Sequence, residues 1–427
     1  MPGARFMGAD VEKYFASPGC ALCILLITLV FLTFFCVFPA RRTFAQENQI
    51  VTDTQEKAET SSEEYPLFKM DEMVITATRE PDIIKKVPKN VSVITAEDIA
   101  MAPSNSIVDL LSREANLNLR SMFGNDKKAG LDIRGMGDTF VSNVIVMVDG
   151  FKLNPPDMAG PDFSTIPLDQ VERIEIVRGA GSVLYGNGAV GGVINIITKK
   201  GYRKPAFKAY NSYGDYNTYD GRFSFGGRVE NFGFNFGFSY YDSNGYRDNN
   251  YFRKKDGTLA LDYSLRDFLE ISGNCLIHKD NVGFPGSLPY DEAYSGSKRE
   301  STRYPEDFGE TEDYRYQGAV KLKLKQFGNI LGKIGYRDRD NPYLLGYNPQ
   351  IPIKEQLSKI EEETVEYSVK YNLDFGTWGY QHKFQAGFDY YDTDYLREST
   401  KKERKYRDVT TREWFLYSEL EFPGHFL

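Results

Sequence analysis

Three glycines, Gly186, Gly188 and Gly191, stand in the spacing G-x-G-x-x-G. Glycines in that spacing let a backbone approach the pyrophosphate of a dinucleotide, provided a strand precedes them and a helix succeeds them. A strand-like run does precede them, Ile174–Val177. After them come Val193, Ile194, Ile196 and Ile197, which are β-branched and have no helical period. Five glycines fall between Gly181 and Gly192, so the segment reads as a sharp reversal between two strands. That context argues against nucleotide binding. Beyond residue 45 the chain has no H-E-x-x-H, C-x-x-C or G-x-S-x-G spacing. Acid pairs such as Glu172 with Glu175 read as surface positions of a strand, with no nucleophile or base placed beside them. No spacing supports catalysis or a cofactor.

The elements around these residues have a recognisable order. Met73–Thr78 alternates apolar and hydroxyl residues and is rich in β-branching. With no obvious partner before Pro81, it is either an ordinary first strand or a strand open to β-augmentation by another protein. Val91–Ile94 reads as a strand. Thr95 reads as an N-cap with Asp98 three residues on, for a helix that ends by Pro103. Ser104 or Ser106 caps a second helix through Asp109, Leu110, Leu111 and Ala115. Leu117–Arg120, Leu131–Arg134, Val144–Val148 and Ile174–Val177 read as strands. The sum is a small mixed α/β domain of about 120 residues, large enough for its own core.

From Ala206 the pattern changes to strand–turn–strand. Phe232, Phe234, Phe236, Phe238 and Tyr240 alternate with Gly233, Asn235, Gly237 and Ser239. A transmembrane barrel strand needs this period of two, with lipid on one side and lumen on the other. Leu269, Ile271, Cys275 and Ile277 repeat it against Glu270, Ser272, Asn274 and His278. Lys321, Lys323 and Lys325 are expected to face the lumen, because lysine in lipid is costly. Short connections at Val229–Asn231, Ser264–Asp267, Gln326–Asn329 and Phe375–Gly379 alternate with long polar ones at Asp242–Asp256, Lys279–Asp313, Asp338–Ile360 and Tyr391–Thr410. Short inner turns against long outer loops are the expected barrel asymmetry. The hairpin near Gly214–Asn217 is the exception, short on the outer side.

Composition agrees. Tyr (29) and Phe (30) are abundant, which suits aromatic girdles, and a formal net charge of −8 disfavours a nucleic-acid partner. Cys20–Phe38 is the one long apolar run, followed by Arg41, Arg42 and Ala45. It reads as a signal peptide over residues 1–45, with a transmembrane helix as the alternative. Three of the four cysteines lie in it, which leaves Cys275 alone and no internal disulfide. Residues 46–70 read as a disordered linker.

The run Val171–Lys200, VERIEIVRGAGSVLYGNGAVGGVINIITKK, closely resembles the end of the plug domain of TonB-dependent outer-membrane receptors. Ala180 departs from the usual proline, which affects local stiffness only. Further signatures of that family precede it in order: Asp71–Arg79 (DEMVITATR), Val87–Ile99, Asp132–Gly135 (DIRG) and Val146–Gly150 (VMVDG). The resemblance is specific over residues 71–200 and extends further only as a strand-and-turn pattern.

It implies a plug over residues 80–200, followed from about residue 205 to 427 by part of an antiparallel transmembrane β-barrel in the outer membrane of a Gram-negative cell. It also implies a TonB box at Asp71, Glu72, Met73, Val74, Ile75, Thr76, Ala77 and Thr78, docking a TonB-like energy-coupling protein. Arg134 and Arg178 are expected to form ion pairs at the plug–barrel boundary. About ten strands are visible against about 22 in plugged transporters. Pro423 and Gly424 interrupt the position of a closing strand, so the chain reads as the N-terminal portion of a receptor, from a truncated or split gene.

The implied function is uptake of a scarce nutrient, first a ferric siderophore and then cobalamin. Haem is disfavoured by only three His. A passive porin or adhesin barrel, and a non-transporting binding fragment, are the other readings. Acid-rich loops such as Lys279–Asp313 suit calcium less well than plain solvation.

Overall fold

The computed structural model describes residues 73–74, 82–83, 90–104, 106–114, 117–121, 127, 129–133, 135, 140–157, 160–179, 182–186, 188–202, 204–294, 298–377, 380–399 and 404–421. The signal-peptide and linker expectations over residues 1–70 lie outside them.

Two short strands come first, β1 (Met73–Val74) and β2 (Asp82–Ile83), paired antiparallel. The plug then starts with β3 (Asn90–Thr95), which runs into helix α1 (Ala96–Met101). The capping box forms as expected: Asp98 N donates to Thr95 Oγ1 (3.2 Å) and Thr95 N donates to Asp98 Oδ2 (2.8 Å). Ser106, rather than Ser104, caps α2 (Ile107–Ser112), which buries Ile107, Val108, Leu110 and Leu111. That helix ends earlier than the expected Ala115, with Arg113 as its C-cap.

Next come a hairpin, β4 (Leu117–Ser121) with β5 (Ala129–Ile133), and a one-turn helix α3 (Phe140–Asn143). The remaining plug strands are β6 (Val144–Val148), β7 (Phe151–Lys152), β8 (Val171–Arg178) and β9 (Gly192–Thr198), with α4 (Ser182–Tyr185) between the last two. One sheet holds them in the order β3-β8-β9-β6-β7, parallel only between β6 and β9. Strand β6 is buried at all five positions, which is why VIVMV does not alternate.

The glycine-rich reversal is confirmed. Gly186 and Gly188 have φ of +68° and +93°, and the next element is β9, not a helix. At Gly192 a Cβ would fall 2.5 Å from the Val177 carbonyl oxygen, so only glycine lets β9 start there.

Ten strands make the second sheet: β10 (Ala206–Gly214), β11 (Thr218–Val229), β12 (Phe232–Ser243), β13 (Phe252–Leu265), β14 (Leu269–Gly283), β15 (Phe308–Lys323), β16 (Asn329–Leu344), β17 (Ser358–Thr377), β18 (Tyr380–Glu398) and β19 (Arg404–Glu421). Each pairs antiparallel with its sequence neighbour. Among the described residues no register joins β10 to β19, so the sheet is open along those edges.

The alternation on β12 falls as expected. Phe236 and Phe238 are 41% and 46% exposed on the outer face, whereas Asn235 and Ser239 are buried on the inner one. The strands are taller than the polar stretches suggested. β17 has 20 residues, about twice what a bilayer needs. Much of the expected outer loops Asp338–Ile360 and Tyr391–Thr410 is therefore strand, and the last connection shrinks to residues 399–403. Charge had marked contact with water, and ladder hydrogen bonds continue into water. Lys325 is a further correction. It sits with φ +52° in the turn Lys325–Phe327, whereas Lys321 does face the lumen, where it lines a cavity beneath the plug.

Candidate functional site at the plug–barrel interface

The loop from Leu153 to Gln170, between β7 and β8, runs along the inner wall of the sheet. Asp162 starts a single 3₁₀ turn, Phe163–Thr165, by accepting from Ser164 N (3.1 Å) and Oγ (2.6 Å). Its other oxygen accepts from Arg339 (3.2 Å) on β16. Ser164 Oγ also lies 3.1 Å from Asp280 Oδ2 on β14, and Arg315 on β15 donates to Thr165 Oγ1. Nearer the outer end, Tyr395 on β18 donates to Asp157 (2.5 Å). These side chains attach the plug to four consecutive or near-consecutive barrel strands.

The wall beneath the loop is an arginine–carboxylate ladder. Asp313 accepts from Arg315 (2.9 Å) and Arg337 (2.7 Å), and Arg337 also donates to Glu362 (3.1 Å) and the Leu153 carbonyl (3.4 Å). Bidentate guanidinium contacts of this kind hold geometry as well as charge. Next to it lies a second cluster. Lys127 of the plug donates to Asp280 and Thr311. His278 is fully buried, with Nδ1 2.6 Å from Asp256 and Nε2 3.0 Å from Asp280. A ring that meets a carboxylate at each nitrogen donates at both only as imidazolium. Ser239 donates to the second oxygen of Asp256 (2.7 Å).

Lower in the plug, burial pushes the Asp169 carboxyl up and the Lys199 ammonium down, while Lys199 Nζ donates to the Asp169 backbone carbonyl (2.5 Å).

Of the expected boundary arginines, Arg178 is buried and bonds within the plug, to Ser92 (2.6 Å) and Glu114 (3.4 Å). Arg134 lies outside the described residues. Glu175 is not a surface position: it is fully buried and paired with Arg173 at 2.9 Å. Of the TonB-box residues, Met73 and Val74 form β1, paired with β2. Asp71, Glu72, Ile75, Thr76, Ala77 and Thr78 lie outside the described residues. Lys127, Asp157, Asp162 and Ser164 of the plug pack on the barrel.

The ladder was missed because Asp313 and Arg339 fell inside stretches read as outer loops, with Arg337 and Glu362 just beyond the limits of one of them. Their period of two, Arg337-x-Arg339 most plainly, is the signal that marks them as one face of a strand.

An α/β plug pinned by buried charges against an antiparallel, lipid-facing sheet defines a plugged outer-membrane barrel protein. Among the described residues no helix is long and apolar enough to cross a membrane; the crossing elements are strands. Residues 84–193 match the TonB-dependent Receptor Plug Domain family, so the α/β unit is a plug domain of that family.

The chain is 38% identical over 128 residues to the vitamin B12 transporter BtuB of Photobacterium profundum, covering 30% of this chain and 20% of that one. It is 39% identical over 127 residues to BtuB of Vibrio cholerae serotype O1, with the same coverage. The matched region thus spans about a fifth of the length of these curated relatives. In structure the chain is similar to the ferric citrate transporter FecA in its unliganded form, with a TM-score of 0.66 at 17% identity, over 78% of this chain and 54% of that one. It is also similar to P. aeruginosa FpvA bound to a heterologous pyoverdine with iron, with a TM-score of 0.67 at 15% identity, over 83% and 52%. These likenesses describe the fold.

Proposed function

We propose that the protein is an energy-coupled importer of a scarce nutrient across the outer membrane. Substrate binds on the outer side. A TonB-like protein pairs with Asp71–Thr78 and pulls, and the plug shifts to open a path. The observation that carries this reading is the plug itself, matched at residues 84–193 and seated against the lumen wall. A passive pore has no use for such a plug. The reading assigns the chain no catalytic role.

For the substrate, a ferric siderophore is the first reading, in keeping with the receptors that share the fold. Cobalamin is the second, favoured by the sequence relatives, whose matched region is the plug.

The test is uptake of labelled ferric siderophores and cyanocobalamin by cells that express the protein, with and without an energised inner membrane. Ile75→Pro removes a backbone donor from the docking strand. It should abolish energised uptake and leave binding at the cell surface intact. Uptake that ignores both the variant and the energy supply would mean a passive pore.

A further inference from the structure

Where β18 and β19 rise past the plug loop, their inner faces carry cations. Tyr395 and Arg407 stand directly opposite each other, and both reach the plug. Tyr395 donates to Asp157 (2.5 Å) and Arg407 donates to the Pro156 carbonyl (3.5 Å). These contacts fix which face of the two strands is inward. Two residues further out on each strand, and on that same face, Arg397 and Lys405 are again direct partners.

Arg397, Lys405 and Arg407 are all exposed. Arg397 donates to the Tyr343 hydroxyl on β16 (3.4 Å), and Arg407 meets a backbone carbonyl, so neither of these contacts neutralises a charge. The wall below is different. Arg337 lies between Asp313 and Glu362, and Arg339 between Asp162 (3.2 Å) and Glu362 (3.7 Å). Glu362 is thus counted with the two arginines that it pairs. At the rim, three cations face the plug's Asp157, whose carboxylate accepts from Tyr395.

Like charges set directly across a strand pair repel and weaken it. An oxyanion lying over Arg397 and Lys405 turns that repulsion into attraction, and the guanidinium fork can take two of its oxygens at once. A mouth of one sign also concentrates solutes of the opposite sign and speeds their arrival.

We propose that Arg397, Lys405 and Arg407 form an anion-binding site at the outer mouth of the lumen, and that its ligand is an anionic metal chelate bearing carboxylate or catecholate oxygens. The inference rests on the outer-side binding of the transport reading and narrows its substrate class: an anionic chelate fits, and cyanocobalamin or a neutral ferric trihydroxamate does not.

The test is equilibrium binding to the outer-membrane fraction of cells that express the full chain. The labelled probes are ferric dicitrate, a ferric tricatecholate, a neutral ferric trihydroxamate and cyanocobalamin. One or both anionic chelates should bind more tightly than either neutral probe, and that affinity should fall as salt is raised, because exposed charges are screened. Arg397→Gln/Lys405→Gln should weaken it about tenfold or more, through the loss of two charge-assisted contacts. Arg397→Lys/Lys405→Arg keeps both charges and should retain most of it. Unchanged protease resistance of the plug shows that both variants are folded.

Tighter binding of either neutral probe, failure of both anionic chelates to bind, or an affinity that the Gln double variant leaves unchanged overturns the anion site. Uptake is scored separately. Energised import of a neutral probe alone upholds the transport reading and overturns this inference. Anion binding that the Gln variant abolishes, with no import under any energy condition, upholds the site and overturns the transport reading.

Discussion

Lys127 and Asp280 are 153 positions apart in the chain and meet in an ion pair whose side chains are 3% and 0% exposed. The lysine belongs to the plug and the aspartate to β14. The same carboxylate receives His278 and Ser164, so four groups from two domains share one dry site. In such a place the pair is held by the penalty of breaking it more than by the gain of making it.

Lys127→Met should therefore loosen the plug by about 3–5 kcal/mol, because Asp280 keeps only His278 as a cation. The readout is the urea concentration at which the plug of membrane-embedded protein becomes protease-sensitive. The double variant Lys127→Met/Asp280→Asn should be less destabilised than the sum of the singles, by about 0.5–3 kcal/mol. Simple additivity would mean that the two residues do not act as a pair.

His278 joins β13 to this cluster, because its two nitrogens reach Asp256 and Asp280. Gln at this position keeps an amide donor for one carboxylate, whereas Phe keeps none and leaves Asp256 and Asp280 facing an apolar ring. The expected order of thermal stability is wild type, then His278→Gln, then His278→Phe. Gel mobility after heating measures it, and a Phe variant as stable as wild type would remove His278 from any holding role.

The outward face of β12 makes a separate prediction about the membrane. Phe238 is 46% exposed in mid-strand, and its inward neighbour Ser239 donates to Asp256. An arginine on the lipid face near the midplane costs about 2–4 kcal/mol. Phe238→Arg should sharply lower the amount recovered in the outer membrane, whereas Phe238→Leu should be recovered normally. Equal recovery of the two would show that this face does not meet lipid.

The contrast between Phe238 and Glu175 explains what the sequence discloses. Local rules wrote the Thr95–Asp98 capping box, the glycine reversal before β9 and the Phe232–Tyr240 alternation, so each was legible from a few neighbouring residues. Glu175 and Arg339 were misplaced for one reason: charge was equated with water. Inside a plugged barrel the lumen wall is polar and yet dry. Its charges are satisfied by partners as distant in sequence as Asp162 is from Arg339, 177 positions. Lys325 failed differently. The period-two pattern was carried one step past the end of β15 into a turn with positive φ.

The plug's β6–β7 hairpin rests on a glycine of the wall, and that contact gives the last prediction. A Cβ at Gly335 on β16 would lie 2.7 Å from the Phe151 ring, closer than any relaxed contact. Phe151 comes directly after the Asp149–Gly150 turn. The next residue, Lys152, pairs with Glu413 (2.8 Å) and lies 4.2 Å from the centre of the Tyr391 ring. Gly335→Val suits the strand itself, because a β-branched residue is at home there. Its penalty should fall on the hairpin, at about 1–3 kcal/mol for overpacking. The expected result is faster protease cleavage at Lys152 with no change in the heat-modifiable mobility of the barrel. Adding Phe151→Ala removes the clashing ring and should return cleavage toward the rate of Phe151→Ala alone. If Gly335→Val leaves cleavage at Lys152 unchanged, the hairpin does not bear on the wall at this point.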